Sequence, residues 1–301
     1  MRIGIIGLGD IAQKAYLPVL SKKEGIELVL CTRNQEKLKK LANKYRLTEY
    51  VQTVDELINQ KIDAAFVCTP SATHFEIAKK LLEQGIHVYI DKPISMDFNE
   101  SKQIVQLAEE KKLVAMVGFN RRFSPMIADL RKQGKADLIL IQKNRYNNPG
   151  DKKQFVVEDF IHVVDTLRFL MDCKVTDLQV QYLEKEGLLH NVVIQLIGED
   201  CTAIGIMNRD NGKTEEVIEY MTAGNKLVVN NFVETTQFQH DMETVSSFGD
   251  WEPTLVKRGF YQIVDHFIEC VYENKNTDPS ISDSLITHEI CNEIYTRVMA
   301  E

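Results

Sequence analysis

Three stretches of the chain carry residue types at spacings that could do chemistry. The first is the opening run, where an apolar stretch at 3–6 meets Gly7-Leu8-Gly9-Asp10-Ile11-Ala12. The order reads as buried strand, tight turn, helix. Gly7 lets the backbone turn where a Cβ would clash, and Gly9 lets the main chain approach a pyrophosphate. Ala12 stands where a third glycine is common, a methyl being the largest step that keeps helix and strand close. The phosphates would lie on the helix N-terminus opened by Asp10 and Ile11, whose free N–H groups and dipole favour an anion. A glycine pair after an apolar run can also be a bare turn. Its place at the head of a strand–helix–strand pattern favours dinucleotide binding.

The second stretch is Asp91-Lys92-Pro93, directly after the apolar run 86–90. A lysine at a strand's carboxyl end, between an acid and a proline, is poorly explained as a surface charge. Such an ammonium can hold a substrate hydroxyl as it loses its proton, with Asp91 keeping it in place. The third is the amphipathic segment 155–170. Phe160, Val163, Val164 and Leu167 form its apolar stripe. Asp159, His162 and Asp165 follow at i, i+3 and i+6, and Glu158 lies four before His162. Imidazole titrates near neutrality, and flanking carboxylates fix its tautomer and favour its charged form. It can take a proton from an alcohol as hydride leaves, or return it. A histidine satisfied within its own helix is the other reading. For zinc, no further His or Cys lies nearby, so no metal is expected.

These groups need elements to position them. Over 1–120, apolar runs at 26–31, 64–68, 86–90 and 113–117 alternate with helical patterns at 11–20, 35–45, 54–60, 73–83 and 99–111. Short apolar runs between helices imply a parallel sheet covered on both faces, the doubly wound Rossmann arrangement, with ligands at the carboxyl ends of the strands. At the end of the second strand stand Thr32 and Arg33, where an NAD-preferring protein carries a carboxylate for the ribose 2′-OH. A hydroxyl and a guanidinium suit a 2′-phosphate, so NADP is favoured over NAD. A solvated Arg33 with Asn34 capping the next helix is the alternative. The turn Thr69-Pro70-Ser71-Ala72-Thr73-His74 can touch the nicotinamide half. Pro70 stops the strand, Thr73 or Ser71 can cap the next helix, and His74 is expected to bond locally.

Over 121–301 a helix at 124–132 leads to strands at 138–144, 175–183, 189–197, 201–207, 215–221, 226–229 and 235–240. Hairpin turns are expected at Gly198-Glu199-Asp200, Asn211-Gly212 and Gly224-Asn225. No helices separate these strands, so this is an α+β domain with a mostly antiparallel open sheet. The polar run 143–153, with Arg145, Tyr146 and Asn147, can line a pocket. Trp251, the only tryptophan, can stack on a sugar face or pack under its loop. Helices at 254–274 and 282–299 close the chain, the last one expected to return toward the first domain.

Length and composition fit two soluble domains. The 301 residues exceed what one core usually serves, and the formal net charge of −8 argues against nucleic acid or an anionic membrane as a general partner. No apolar run approaches the ~20 residues of a membrane span. No secretory signal is expected, since glycines and Asp10 interrupt the first apolar segment. Six scattered cysteines without a Cys-x-x-Cys suit a reducing cytoplasm.

Four features together resemble the glucose–fructose oxidoreductase, inositol dehydrogenase and rhizopine catabolism (Gfo/Idh/MocA) family. They are Gly7-Leu8-Gly9-Asp10-Ile11-Ala12, Thr69-Pro70 with His74, Gly85-x-His87-Val88 leading to Asp91-Lys92-Pro93, and Gly118-Phe119-Asn120-Arg121-Arg122-Phe123-Ser124-Pro125. The opening Gly-Leu-Gly-Asp-Ile-Ala-Gln-Lys-Ala-Tyr-Leu-Pro is similar to the MviM-like subgroup. The resemblance implies an NAD(P)-dependent oxidoreductase acting on a secondary hydroxyl or keto group of a sugar, inositol or related polyol. It implies His162 as acid/base, Lys92 on the reacting oxygen, and Asn120 and Arg122 near cofactor and substrate. It also implies a homodimer, or a larger oligomer, through the second domain's sheet. The family carries Asp-x-Gly-x-His-x-x-Asp around the histidine. Here Glu158 keeps the register of the first acid and Asp159 its chemical type, while Phe160 replaces the glycine and is expected to narrow the pocket. A nucleotide-binding sensor without turnover is the alternative on the same scaffold.

Overall fold

The computed structural model describes residues 1–300, which divide into two compact units. The first comprises Met1–Gly118 and Phe260–Ile286; the second comprises Phe119–Gly259 and the residues from Thr287 on. The segment Phe260–Ile286, counted by sequence with the second domain, thus groups with the first.

The first unit holds six parallel strands: β1 (Arg2–Ile6), β2 (Glu27–Cys31), β3 (Tyr50–Val51), β4 (Ala64–Val67), β5 (His87–Ile90) and β6 (Ala115–Val117). Their order, β3-β2-β1-β4-β5-β6, is that of a doubly wound dinucleotide fold. Apart from the two-residue edge strand β3, the strands are short and buried on both faces, as a parallel sheet between helices requires. Helix Phe260–Glu273 joins this unit through aromatic packing. The Phe267 ring meets Phe66 and Tyr89 at 5.3 and 5.5 Å, and Phe260 meets Tyr16 at 5.6 Å. These three aromatic contacts add ~0.5–1.5 kcal/mol each beyond simple area burial. The expected single helix over 254–274 is in fact two, Thr254–Lys257 and Phe260–Glu273. Gly259 interrupts it at φ +79°, a conformation that side chains with a Cβ resist.

The second unit is built on eight strands: β7 (Leu138–Asn144), β8 (Asp177–Lys185), β9 (Leu188–Ile197), β10 (Thr202–Asn208), β11 (Glu215–Thr222), β12 (Asn225–Asn230), β13 (Glu234–Gln239) and β14 (Met242–Ser247). Their order is β14-β13-β12-β11-β7-β10-β9-β8, antiparallel throughout except for the β7–β10 pair. The 198–200 and 224 turns close hairpins between sheet neighbours. The Asn211-Gly212 turn does not: β7 lies between β10 and β11, so this segment passes over its end.

Helix Ile161–Met171 packs on β7 and β10 through Val163, Val164 and Leu167, all buried. Gly205 of β10 makes the close approach possible, because a Cβ there would stand 2.9 Å from side-chain carbons of both Leu167 and Val163. Just before this helix the chain runs through a π-wound turn, Gln154–Phe160. That turn carries Phe160 into the core at 0% exposure, so its ring packs inside the unit instead of narrowing a pocket.

Candidate active site

In the first unit, the glycine turn has the shape its sequence demands. Gly7 sits at φ +84°, and a Cβ on it would lie 2.7 Å from the Thr69 backbone. The turn after β1 and the turn after β4 are therefore in direct contact, and any side chain at Gly7 would force them apart. A Cβ at Gly9 would meet nothing within 4 Å. The helix begins there, with the Gln13 N–H donating to the Gly9 carbonyl at 3.1 Å. Its earlier N–H groups precede any intrahelical acceptor. Open space over a glycine at a helix N-terminus fits a pyrophosphate. Ala12 is wholly buried, while Asp10 is exposed and paired with Lys14.

Arg33 is exposed, and Thr32 is half-buried at the end of β2. Asn34 accepts from Lys37 N–H at 2.9 Å and caps helix Gln35–Tyr45, so the cap and an outward Arg33 coexist. Neither Ser71 nor Thr73 caps helix His74–Glu83 with its side chain. The Thr73 hydroxyl turns back to Thr69 Oγ1 and the Pro70 carbonyl, both at 2.8 Å. His74 is buried, with Nδ1 2.7 Å from the Pro93 carbonyl and Nε2 2.8 Å from the Thr69 carbonyl. It ties the turn carrying Thr69 and Pro70 to the one carrying Lys92, a local structural role.

Asp91 and Lys92 leave the carboxyl end of β5, and the Lys92–Pro93 peptide is cis. The Tyr16 hydroxyl donates to Asp91 Oδ1 at 2.8 Å and lies 3.2 Å from the Tyr89 hydroxyl. Burial raises the Asp91 carboxyl, with the Lys92 ammonium pulling the other way. Burial also pushes both tyrosine hydroxyls well up, so Tyr16 stays a donor. Asp91 is thus fixed from behind by Tyr16, which lies in the opening run but whose spacing there announces no such role.

In the second unit, His162 is half-buried one residue into helix Ile161–Met171, and Glu158 and Asp159 precede it in the π-wound turn. Asp159 is held by Lys143 of β7, whose Nζ donates to its carbonyl at 2.9 Å and to its carboxylate. Lys143 belongs to the strand core, with its side chain 2% exposed, not to a pocket-lining loop. Burial lowers its ammonium to about 7, against the opposing pull of Asp159. Arg145 Nη2 stands 3.5 Å from the same Asp159 oxygen.

Asp165, expected on the face of His162, is 1% exposed and serves a different partner. Arg122 donates to both its oxygens, at 2.9 and 2.6 Å, and the Thr287 hydroxyl adds a third bond at 3.1 Å. Arg121 is buried and forks onto Glu216 of β11 at 2.5 and 2.9 Å. The Asn120 amide donates to the Arg258 carbonyl at 2.8 Å. Tyr146 and Trp251 are 66% and 97% exposed, so Trp251 does not pack under its loop. Among the described residues no group of three or more His, Cys, Asp or Glu side chains is arranged to hold a metal ion. All six cysteines are free, and among the described residues no helix is long and apolar enough to cross a membrane.

A parallel sheet with a phosphate-shaped glycine turn, and a lysine at the end of its fifth strand, define a nicotinamide-dinucleotide oxidoreductase. Comparison with known proteins agrees. A family model described as the oxidoreductase family with an NAD-binding Rossmann fold matches residues 1–119, and one described as the YceM-like C-terminal domain matches 125–241. The solved structure of a dehydrogenase, MviM, from Clostridium difficile superposes with a TM-score of 0.94 at 30% identity, over 99% of each chain. That of a Gfo/Idh/MocA family oxidoreductase from Vibrio cholerae gives 0.92 at 32% identity, again over 99% of each. The scyllo-inositol 2-dehydrogenase (NAD(+)) of Bacillus subtilis is 23% identical over 96% of this chain and 92% of its own. The chain belongs to the Gfo/Idh/MocA family of oxidoreductases.

Proposed function

We propose that the enzyme transfers hydride between NADP, in preference to NAD, and a secondary hydroxyl or keto group of a sugar, an inositol or a related polyol. The observation that carries this reading is the glycine turn that opens on free space at Gly9, in the same unit as Lys92 at the end of β5. The names of relatives that act on inositol support the substrate class. Gly7, Gly9, Asp10 and Ile11 would hold the pyrophosphate, Thr32 and Arg33 a 2′-phosphate, and Thr69 and Pro70 the nicotinamide half. When bound, the nicotinamide supplies a two-electron hydride acceptor or donor.

The protein's own residues handle the proton. Lys92 donates a hydrogen bond to the reacting oxygen and stabilises the charge that grows there, with Asp91, held by Tyr16, orienting it. His162 takes the hydroxyl proton during oxidation and returns it during reduction. Glu158 and Asp159 set the charge of its surroundings, and the engagement of Asp159 by Lys143 keeps that carboxylate in one place. The outer face of the eight-stranded sheet supports a homodimer, and six free cysteines support a cytoplasmic setting.

Fluorescence titration with NADPH and NADH, followed by a panel of polyols, sugars and keto-sugars, tests the reading. NADPH should bind at least tenfold tighter than NADH, as a charge-assisted contact to the 2′-phosphate implies. A member of the panel should change the nicotinamide absorbance. Binding of neither nucleotide would overturn the proposal.

A further inference from the structure

The second unit gathers more partly buried positive charge than the carboxylates beside it match. The chain as a whole carries −8. Yet at one end of the eight-stranded sheet, Arg121, Lys143, Arg145, Arg209 and Arg258 surround two carboxylates, Asp159 and Glu216. Topology explains the gathering. Strands β7 and β10 run parallel with Ile206 opposite Gln142, and the Arg145 N–H donates to the Asn208 carbonyl at 2.8 Å. Arg145 and Arg209 therefore leave the ends of neighbouring strands side by side. Lys143 lies opposite Glu216 across β7 and β11. Arg121 and Arg258 rest over the same Phe232 ring, at 5.6 and 5.4 Å from its centre.

Both carboxylates are engaged. Arg121 takes both oxygens of Glu216. Lys143 takes Asp159, which reaches Arg145 only at 3.5 Å. The nearby Asp165 belongs to Arg122. Among the described residues no carboxylate pairs with the guanidinium of Arg209 or of Arg258. Arg209 Nε is buried and donates to nothing, and its guanidinium lies 5.2 Å over the Phe155 ring. Burial pushes both guanidiniums down; Asp159 pulls Arg209 and Glu216 pulls Arg258 the other way, but each carboxylate is already bonded to another cation, and Arg145 repels both guanidiniums. Removing like charges from water without a directly bonded counter-charge is costly.

We propose that Arg145, Arg209 and Arg258 form the seat for an anionic group on the substrate, a carboxylate or a phosphate, so that the enzyme acts on an acidic or phosphorylated polyol in preference to a neutral one. Guanidinium forks match the oxygens of either anion. The inference rests on the reading of His162 as acid/base, because Asp159, three residues before it, lies against Arg145.

The test is calorimetric titration of the full-length protein with D-glucuronate, D-glucose 6-phosphate and D-glucose. One of the two anions should bind at least tenfold tighter than glucose and weaken as salt is raised. Preference for glucuronate assigns a carboxylate, and preference for the phosphate ester assigns a phosphate. Arg209→Gln or Arg258→Gln should weaken that anion roughly 10- to 100-fold and leave NADPH affinity unchanged. Arg209→Lys, which keeps the charge, should retain most of the preference and guards against a variant that only misfolds. No preference over glucose, or no loss in either Gln variant, would overturn the proposal. Anion binding with these properties but no absorbance change for any sugar would instead sink the hydride-transfer reading and leave the anion seat standing.

Discussion

Lys143 is a cation placed on the inward face of a strand. In β7, positions 139, 141 and 143 share one face, and Ile139 and Ile141 are buried with Lys143. A lysine at that parity was the signal in the sequence; read as the start of a polar loop, it went unrecognised. Its ammonium is lowered to about 7, chiefly by burial. An unfolded lysine holds its proton to about 10.4, so between those values the unfolded chain binds more protons and stability rises with pH. Lys143→Met should abolish that rise. Between pH 7 and 8.5, wild type should gain roughly 1.5 kcal/mol relative to the variant, a difference in which the thiol titrations common to both proteins cancel. Denaturant midpoints at several pH values would check this, and parallel slopes for the two proteins would contradict it. By contrast, Lys92 and His162, to which the proposal assigns the proton, each stand at a place where a plain surface reading fails: a strand's carboxyl end, and a helix face lined with acids.

At the scale of elements, the parallel sheet could be read almost strand by strand, since each buried strand is an apolar run between helical patterns. Two strands were not legible. Strand β3 is two residues long and half-exposed, and all six residues of β14 are exposed, so neither carries a hydrophobic signature. The π-wound turn before His162 was also invisible, because a period of 3.6 fits residues 155–170 well enough. Its effect is to send Phe160 inward while Asp159 meets Lys143. The helix that follows depends on Gly205 for its distance from the sheet. Gly205→Val should push it outward, costing ~1–3 kcal/mol by overpacking and lowering turnover more than nucleotide affinity. Thermal melts with NADPH titration would separate the two effects, and unchanged turnover would show that the helix position is not set there.

At the scale of the whole molecule, the second unit's sheet buries one face on helices and leaves Ile204, Ile206, Val217 and Val228 half-exposed on the other. An apolar face of that kind favours self-association. Sedimentation should give a species of twice the 34.5 kDa chain, and Ile206→Lys should convert it to monomer with little change in melting temperature. A wild-type monomer would remove this reading. The division of the chain into units could not be read from sequence at Phe260–Ile286, where ring packing onto Tyr16, Phe66 and Tyr89 decides membership.

The central claim is proton handling by Lys92 and His162 during hydride transfer. The most direct measurement is the steady-state rate of nicotinamide absorbance change with the best substrate of the panel, for wild type, Lys92→Ala and His162→Ala, at saturating NADP. Each variant should lose 100-fold or more in kcat, the scale of general acid–base catalysis, with NADPH affinity within a few-fold of wild type. A variant that kept near wild-type kcat would contradict the role assigned to its residue.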